Sequence, residues 1–127
     1  MRVFEVVLVA DRGDVAARLL RACGSLGVKA VGVHSDADRD APHVDAADES
    51  VPLGADDGGD PYGDVMRIVE AAQQSRAEAV HPGAGPLAAD PEAAAAVRAA
   101  GLAWVDAHPP YAEGDALRDD LRRRLSA

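Results

Sequence analysis

Apolar positions along this chain switch repeatedly between a period of two and a period near 3.6. That switching predicts alternating strands and helices. Positions 3–9 read as a buried strand, β-branched and interrupted only by Glu5. A polar turn follows, Asp11-Arg12-Gly13-Asp14. Val15, Leu19, Ala22, Cys23 and Leu26 then fall at helical spacing, and Gly27 is placed to close that helix in a left-handed conformation. Positions 29–33 read as a second strand, and the helix between gives the crossover length that a parallel pair needs.

The unit recurs. Positions 41–47 suit a short helix, 50–53 a third strand and 54–59 a flexible acidic loop. Asp60-Pro61 is a helix-start signal, because Asp caps free amides and Pro presets the first-turn φ. Val65, Ile68, Val69 and Ala72 share the face of the helix that follows. Positions 79–81 form a short strand ending at His81. Asp90-Pro91 repeats the capping device before an alanine-rich helix that Gly101 ends, and 102–105 make a fifth strand. Such alternation predicts an α/β fold, a Rossmann-like parallel sheet of about five strands with helices on both faces and right-handed crossovers.

Positions 1–105 are expected to form the domain and 106–127 a linker with a C-terminal amphipathic helix. In that helix Leu117, Leu121 and Leu125 lie on one face. Glu113 and Asp115 begin it and Arg122, Arg123 and Arg124 end it, which suits the macrodipole. The stripe suits a helix docked on the domain or, alternatively, a partner-binding helix.

Composition narrows the function classes. The chain has 127 residues, enough for one core, and aromatics are only 3%, so that core is built from Val, Leu, Ile and Ala. A net charge of −9 repels phosphate backbones and anionic lipid, which argues against nucleic acid and membrane as partners. A single cysteine, Cys23, excludes an intrachain disulfide and reads as a small buried hydrophobe. Neither a signal peptide nor a membrane span is apparent, so a cytoplasmic protein is expected.

Ligands of open parallel sheets collect at the carboxyl ends of the strands, near the point where strand order reverses. Three loops are expected there: Asp11-Arg12-Gly13, His34-Ser35 and His81-Pro82-Gly83-Ala84-Gly85. The glycines of the last permit close backbone approach. As a phosphate cradle the first turn is poor, since it has one glycine and two aspartates, and no Walker lysine pattern occurs. Asp11, His34 and His81 have the chemistry of metal ligands, but histidines at strand ends more commonly bond loop backbone, so no metal is expected. Ser35 lacks the strained turn of a nucleophile elbow. No catalytic set and no cofactor is predicted.

Several segments taken together resemble the N-terminal, pre-ATP-grasp domain of biotin carboxylases. Val9-Ala10-Asp11-Arg12-Gly13-Asp14-Val15-Ala16 is similar to that family's ANRGEIA turn. The run Arg18-Leu19-Leu20-Arg21-Ala22-Cys23 with Leu26-Gly27-Val28 resembles its first helix. His34-Ser35-Asp36-Ala37-Asp38-Arg39-Asp40, His43-Val44 and Ala47-Asp48-Glu49 resemble its second stretch. Tyr62 matches the tyrosine opening its third helix, and His81-Pro82-Gly83-Ala84-Gly85 its HPGYG loop with one change.

The resemblance covers these 127 residues but only the first, smaller domain of the family's catalytic unit. It implies that ATP, magnesium and bicarbonate are bound mainly by later ATP-grasp domains, whose lysines, glycine-rich lid and glutamates have no counterpart in this sequence. Departures fall at site-facing loops: Asp11 for asparagine, Ala84 for tyrosine, Pro86 for phenylalanine, Ala88-Ala89-Asp90 for serine-glutamate-asparagine, and Asp106-Ala107 for glycine-proline. Arg18 and Arg21 match two arginines of the family's dimer interface and share one helix face. These features imply a non-catalytic accessory or regulatory subunit of an acyl-CoA carboxylase complex. It would bind biotin carboxylase or acyl-CoA carboxylase subunits, or self-associate through the first helix. The alternatives are half of a split biotin carboxylase and a small-ligand sensor using the strand-end crevice.

Overall fold

Alternation along each strand divides the apolar side chains between two layers. A computed structural model describes residues 4–107 and 109–126. Val3 of the expected first strand and His108 of the expected linker lie outside the described residues. The elements are β1 (Val6–Val9), α1 (Gly13–Ser25), β2 (Lys29–Ser35), α2 (Pro42–Ala46), β3 (Glu49–Gly54), α3 (Val65–Gln74), β4 (Ala79–His81), α4 (Ala93–Ala99), β5 (Ala103–Trp104) and α5 (Gly114–Arg124). The strands form one sheet in the order β3-β2-β1-β4-β5, every pair parallel.

Leu8, Ala10, Val31, Val33, Val51, Leu53 and Val80 face one layer with Ile68, Val69 and Ala72 of α3 and Val97 of α4. Val7, Val9, Ala30 and Ala79 face the other with Leu19, Leu20 and Cys23 of α1 and Leu117 and Leu121 of α5. This period of two, with helices on both faces, is the expected α/β sheet. Gly27 does close α1, at φ +77, with Val28 N–H bonded to Cys23 O at 3.1 Å. Phe4 N–H donates to Leu125 O at 2.9 Å, tying the start of the chain to the end of α5.

Several expectations change in detail. β1 starts at Val6, and β5 has only two residues. β2 runs on to Ser35 because pairing with β3 continues through His34↔Pro52 and, past a bulge, Ser35↔Gly54. His34 and Ser35 are therefore strand residues rather than a loop. Asp60 caps only a 3-10 turn, Pro61–Gly63, through Tyr62 N–H; extended Asp64 interrupts the run, and its carboxylate caps α3 proper. Asp90 accepts Glu92 N–H at 2.9 Å, and α4 begins later, at Ala93.

Leu117, Leu121 and Leu125 are all buried in the layer beneath α1. Each such burial contributes about 1.5–3 kcal/mol. The stripe is covered by the chain's own domain, which corrects its assignment as a partner surface. Among the described residues no helix is long and apolar enough to cross a membrane.

Candidate functional site

Strand order reverses between β1 and β4, and the segments leaving these two strands meet there. Asp11 follows β1. Its carboxylate accepts Arg12 N–H at 2.7 Å on Oδ1 and Ala84 N–H at 2.9 Å on Oδ2. The glycine loop after β4 closes directly onto it. A Cβ added at Gly83 would lie 2.6 Å from Asp11 Oδ2, and one at Gly85 2.8 Å from Oδ1. Gly83 also has φ +63, a left-handed value that L side chains resist. Glycine at both positions is thus required by the carboxylate itself.

Burial raises the Asp11 pKa above its ordinary value, and the two backbone donors partly offset that rise. A crevice filled by a desolvated carboxylate does not fit a nucleotide phosphate, which would meet like charge where it needs donors.

Two aromatic rings lock the loop from the other side. His81 is fully buried, and its Nδ1 accepts Gly83 N–H at 3.0 Å, leaving the proton on Nε2. Burial is the main cause of a pKa near 4, with Arg124 adding to it and Asp120 opposing, so the ring is neutral at pH 7. Tyr111 packs against His81 at 5.6 Å between ring centroids and donates its hydroxyl to Gly83 O at 2.6 Å.

Beside the crevice lies a polar relay. Arg12 forms a two-pronged pair with Asp38, Nε to Oδ2 at 2.7 Å and a terminal nitrogen to Oδ1 at 2.8 Å. Tyr62 donates its hydroxyl to Asp38 Oδ2 at 2.7 Å and accepts Ser35 N–H at 3.1 Å. The Arg12 hydrogen bond holds Asp38 far below the usual carboxylate range, and burial pushes Tyr62 to about 12. His43 is buried, donates Nε2–H to Val33 O at 3.0 Å and accepts Gly13 N–H on Nδ1 at 3.5 Å. A cavity of about 390 Å³ opens over this relay, lined in part by Arg12, Asp38, Asp56, Asp60 and Tyr62. Its three carboxylates repel anions.

Asp11, Gly83, Ala84 and Gly85 are therefore brought together as expected from the fold, with Arg12 and Gly13 alongside. His34 is engaged elsewhere, its Nδ1 2.7 Å from Ser50 Oγ, and Ser35 Oγ is buried without a partner among the described residues. Among the described residues no group of three or more His, Cys, Asp or Glu side chains is arranged to hold a metal ion. Cys23 is buried, and its thiol is pushed up to about 12, which leaves it unreactive at neutral pH. Sequence reasoning assigned no role to Tyr111 and met Asp38, His43 and Tyr62 only within the resemblance. Nothing local signals Tyr111, because its contact depends on how the segment after β5 returns over the sheet.

Residues 3–111 match the model of the biotin carboxylase N-terminal domain. The chain belongs to this family. It is 38% identical over 122 residues to the mitochondrial propionyl-CoA carboxylase alpha chain of Sus scrofa, covering 94% of this chain and 17% of that one. It is 44% identical over 105 residues to the biotin carboxylase of Allochromatium vinosum, covering 83% and 23%. Among solved structures it resembles the biotin carboxylase domain of Hydrogenobacter thermophilus 2-oxoglutarate carboxylase. The TM-score is 0.76 at 36% identity, covering 83% of this chain and 23% of that one. The matched span, 3–111, contains the sheet and helices α1 to α4. This chain spans about a fifth of the length of these relatives.

Proposed function

We propose that this biotin carboxylase N-terminal domain serves a biotin-dependent acyl-CoA carboxylase complex as a non-catalytic accessory or regulatory component, acting in the cytoplasm. One observation carries the reading. The switch-point crevice is closed by the chain's own Asp11 carboxylate against Gly83 and Gly85, with Ala84 at the loop apex, while the sheet and helices keep the family's form. A scaffold retained without an open anion-accepting crevice suits assembly better than turnover. Arg18 and Arg21 on α1 would supply the contact with carboxylase subunits or with a second copy. Affinity purification of the tagged chain from native extract tests this. Recovery of a biotin-containing carboxylase component is expected, and its absence under conditions that preserve such complexes would overturn the reading.

A second reading has its own support, the His81-to-Gly85 loop, which keeps the family's pattern at four of its five positions and is held by Tyr111. In it the chain completes a biotin carboxylase in trans with ATP-grasp domains on another polypeptide. Mixing the two and following bicarbonate-dependent ATP hydrolysis separates the readings. Stimulation favours the split enzyme, and none from any candidate removes it.

A further inference from the structure

A second cavity, of about 290 Å³, lies between α1 and the start of α5, far in chemistry from the acidic crevice. Arg18, Arg21 and Arg118 line it, with Asp115 the one carboxylate among the described lining residues. Three guanidiniums around one cavity are unexpected in a chain of net charge −9. Arg18 and Arg118 are paired with exposed carboxylates, and Arg21 stands apart from those pairs. Arg21 is exposed and makes no ion pair or hydrogen bond among the described residues. Arg118 leaves its Nε buried without an acceptor among the described residues, and a terminal nitrogen meets Asp115 at 3.1 Å. Arg18 meets Asp14 at 3.1 Å and Glu113 at 3.7 Å, and a terminal nitrogen donates to Ala112 O at 3.4 Å. The side chains of Asp14, Glu113 and Asp115 are 82%, 82% and 87% exposed, so they are free to swing into solvent and their pairs contribute little.

We propose that this cavity is an anion site for a phosphorylated small molecule. Guanidiniums offered from two different helices reach several oxygens of a tetrahedral phosphate at once, whereas a planar carboxylate is satisfied by a single fork. Glu113 makes no side-chain cap at α5, so the first amides of that helix add donors at the rim next to Gly114 and Asp115. The site is independent of the switch-point crevice, and a bound anion would neutralise the same α1 arginines offered above to a partner.

The test is a side-chain and amide NMR titration of the full chain with inorganic phosphate and pyrophosphate, against chloride at matched ionic strength. Saturable shifts are expected at Arg18, Arg21, Arg118 and residues 114–116, with pyrophosphate the tighter ligand. Arg21→Ala, which leaves the thermal midpoint unchanged, should weaken binding about tenfold, the loss of one charge-assisted contact. Asp115→Asn should tighten it by removing the lining carboxylate. Shifts that chloride reproduces, that fail to saturate, or that saturate at the same phosphate concentration in Arg21→Ala as in the wild type would each overturn the proposal. No carboxylase component is present in this titration, so its failure leaves the accessory reading standing.

Discussion

Asp11 takes up the space that glycine leaves at two positions, and the geometry makes its consequences specific. Gly83→Ala brings a methyl group within 2.6 Å of Asp11 Oδ2 at φ +63 and should destabilise the domain by about 2–4 kcal/mol in urea unfolding. Gly58→Ala, with nothing near its added Cβ, should change stability by less than about 0.5 kcal/mol. Asp11→Ala strips acceptors from Ala84 N–H and Arg12 N–H and should cost about 1–3 kcal/mol. His81 gives a pH signature. Its folded pKa, near 4, lies below the ordinary 6.5, so the unfolded chain binds the proton first. Its stabilisation is complete above pH 6.5 and is lost as pH falls toward 4. His34, also lowered, acts in the same direction, whereas the raised Asp11 acts in the opposite one. The difference between wild type and His81→Asn, measured by unfolding at several pH values, isolates the His81 part and should shrink steadily across that window.

At the scale of elements, periodicity was a sound guide wherever an element is packed on its own sheet face. The α1 stripe, the strand alternation and the Gly27 and Gly101 stops follow directly from local chemistry. Boundaries moved where tertiary pairing decided them: β2 lengthened because β3 offers partners to its last residues, and α3 began late because Asp64 is extended. The crevice was legible as a place but not as a filled one. A carboxylate's approach to Gly83 and Gly85, 72 and 74 positions away, leaves no local mark, and neither does the return of Tyr111. The leucines of α5 were ambiguous in sequence because a docked helix and a partner-binding helix need the same stripe. Leu121→Ala should lower stability by about 2–5 kcal/mol in chemical unfolding, as expected for a core position of this domain. A surface leucine reserved for a partner would leave the unfolding midpoint of the free chain nearly unchanged.

For the whole molecule, the strand-end crevice is lined by carboxylates, and arginines gather in the cavity between α1 and α5. Arg21→Glu is expected to abolish recovery of a carboxylase component from native extract while leaving the thermal midpoint of the isolated chain in place, since Arg21 holds no internal partner among the described residues. The two lateral margins of the sheet matter here as well. One margin is β3, which carries Pro52, and the other is β5, only two residues long. Proline withholds a donor and brevity withholds length, so neither border templates another chain's backbone. Copies of this protein crowded together should therefore resist ribbon-like stacking into fibrils, and contacts with other molecules are steered toward helical flanks, where side chains rather than main-chain amides determine who binds.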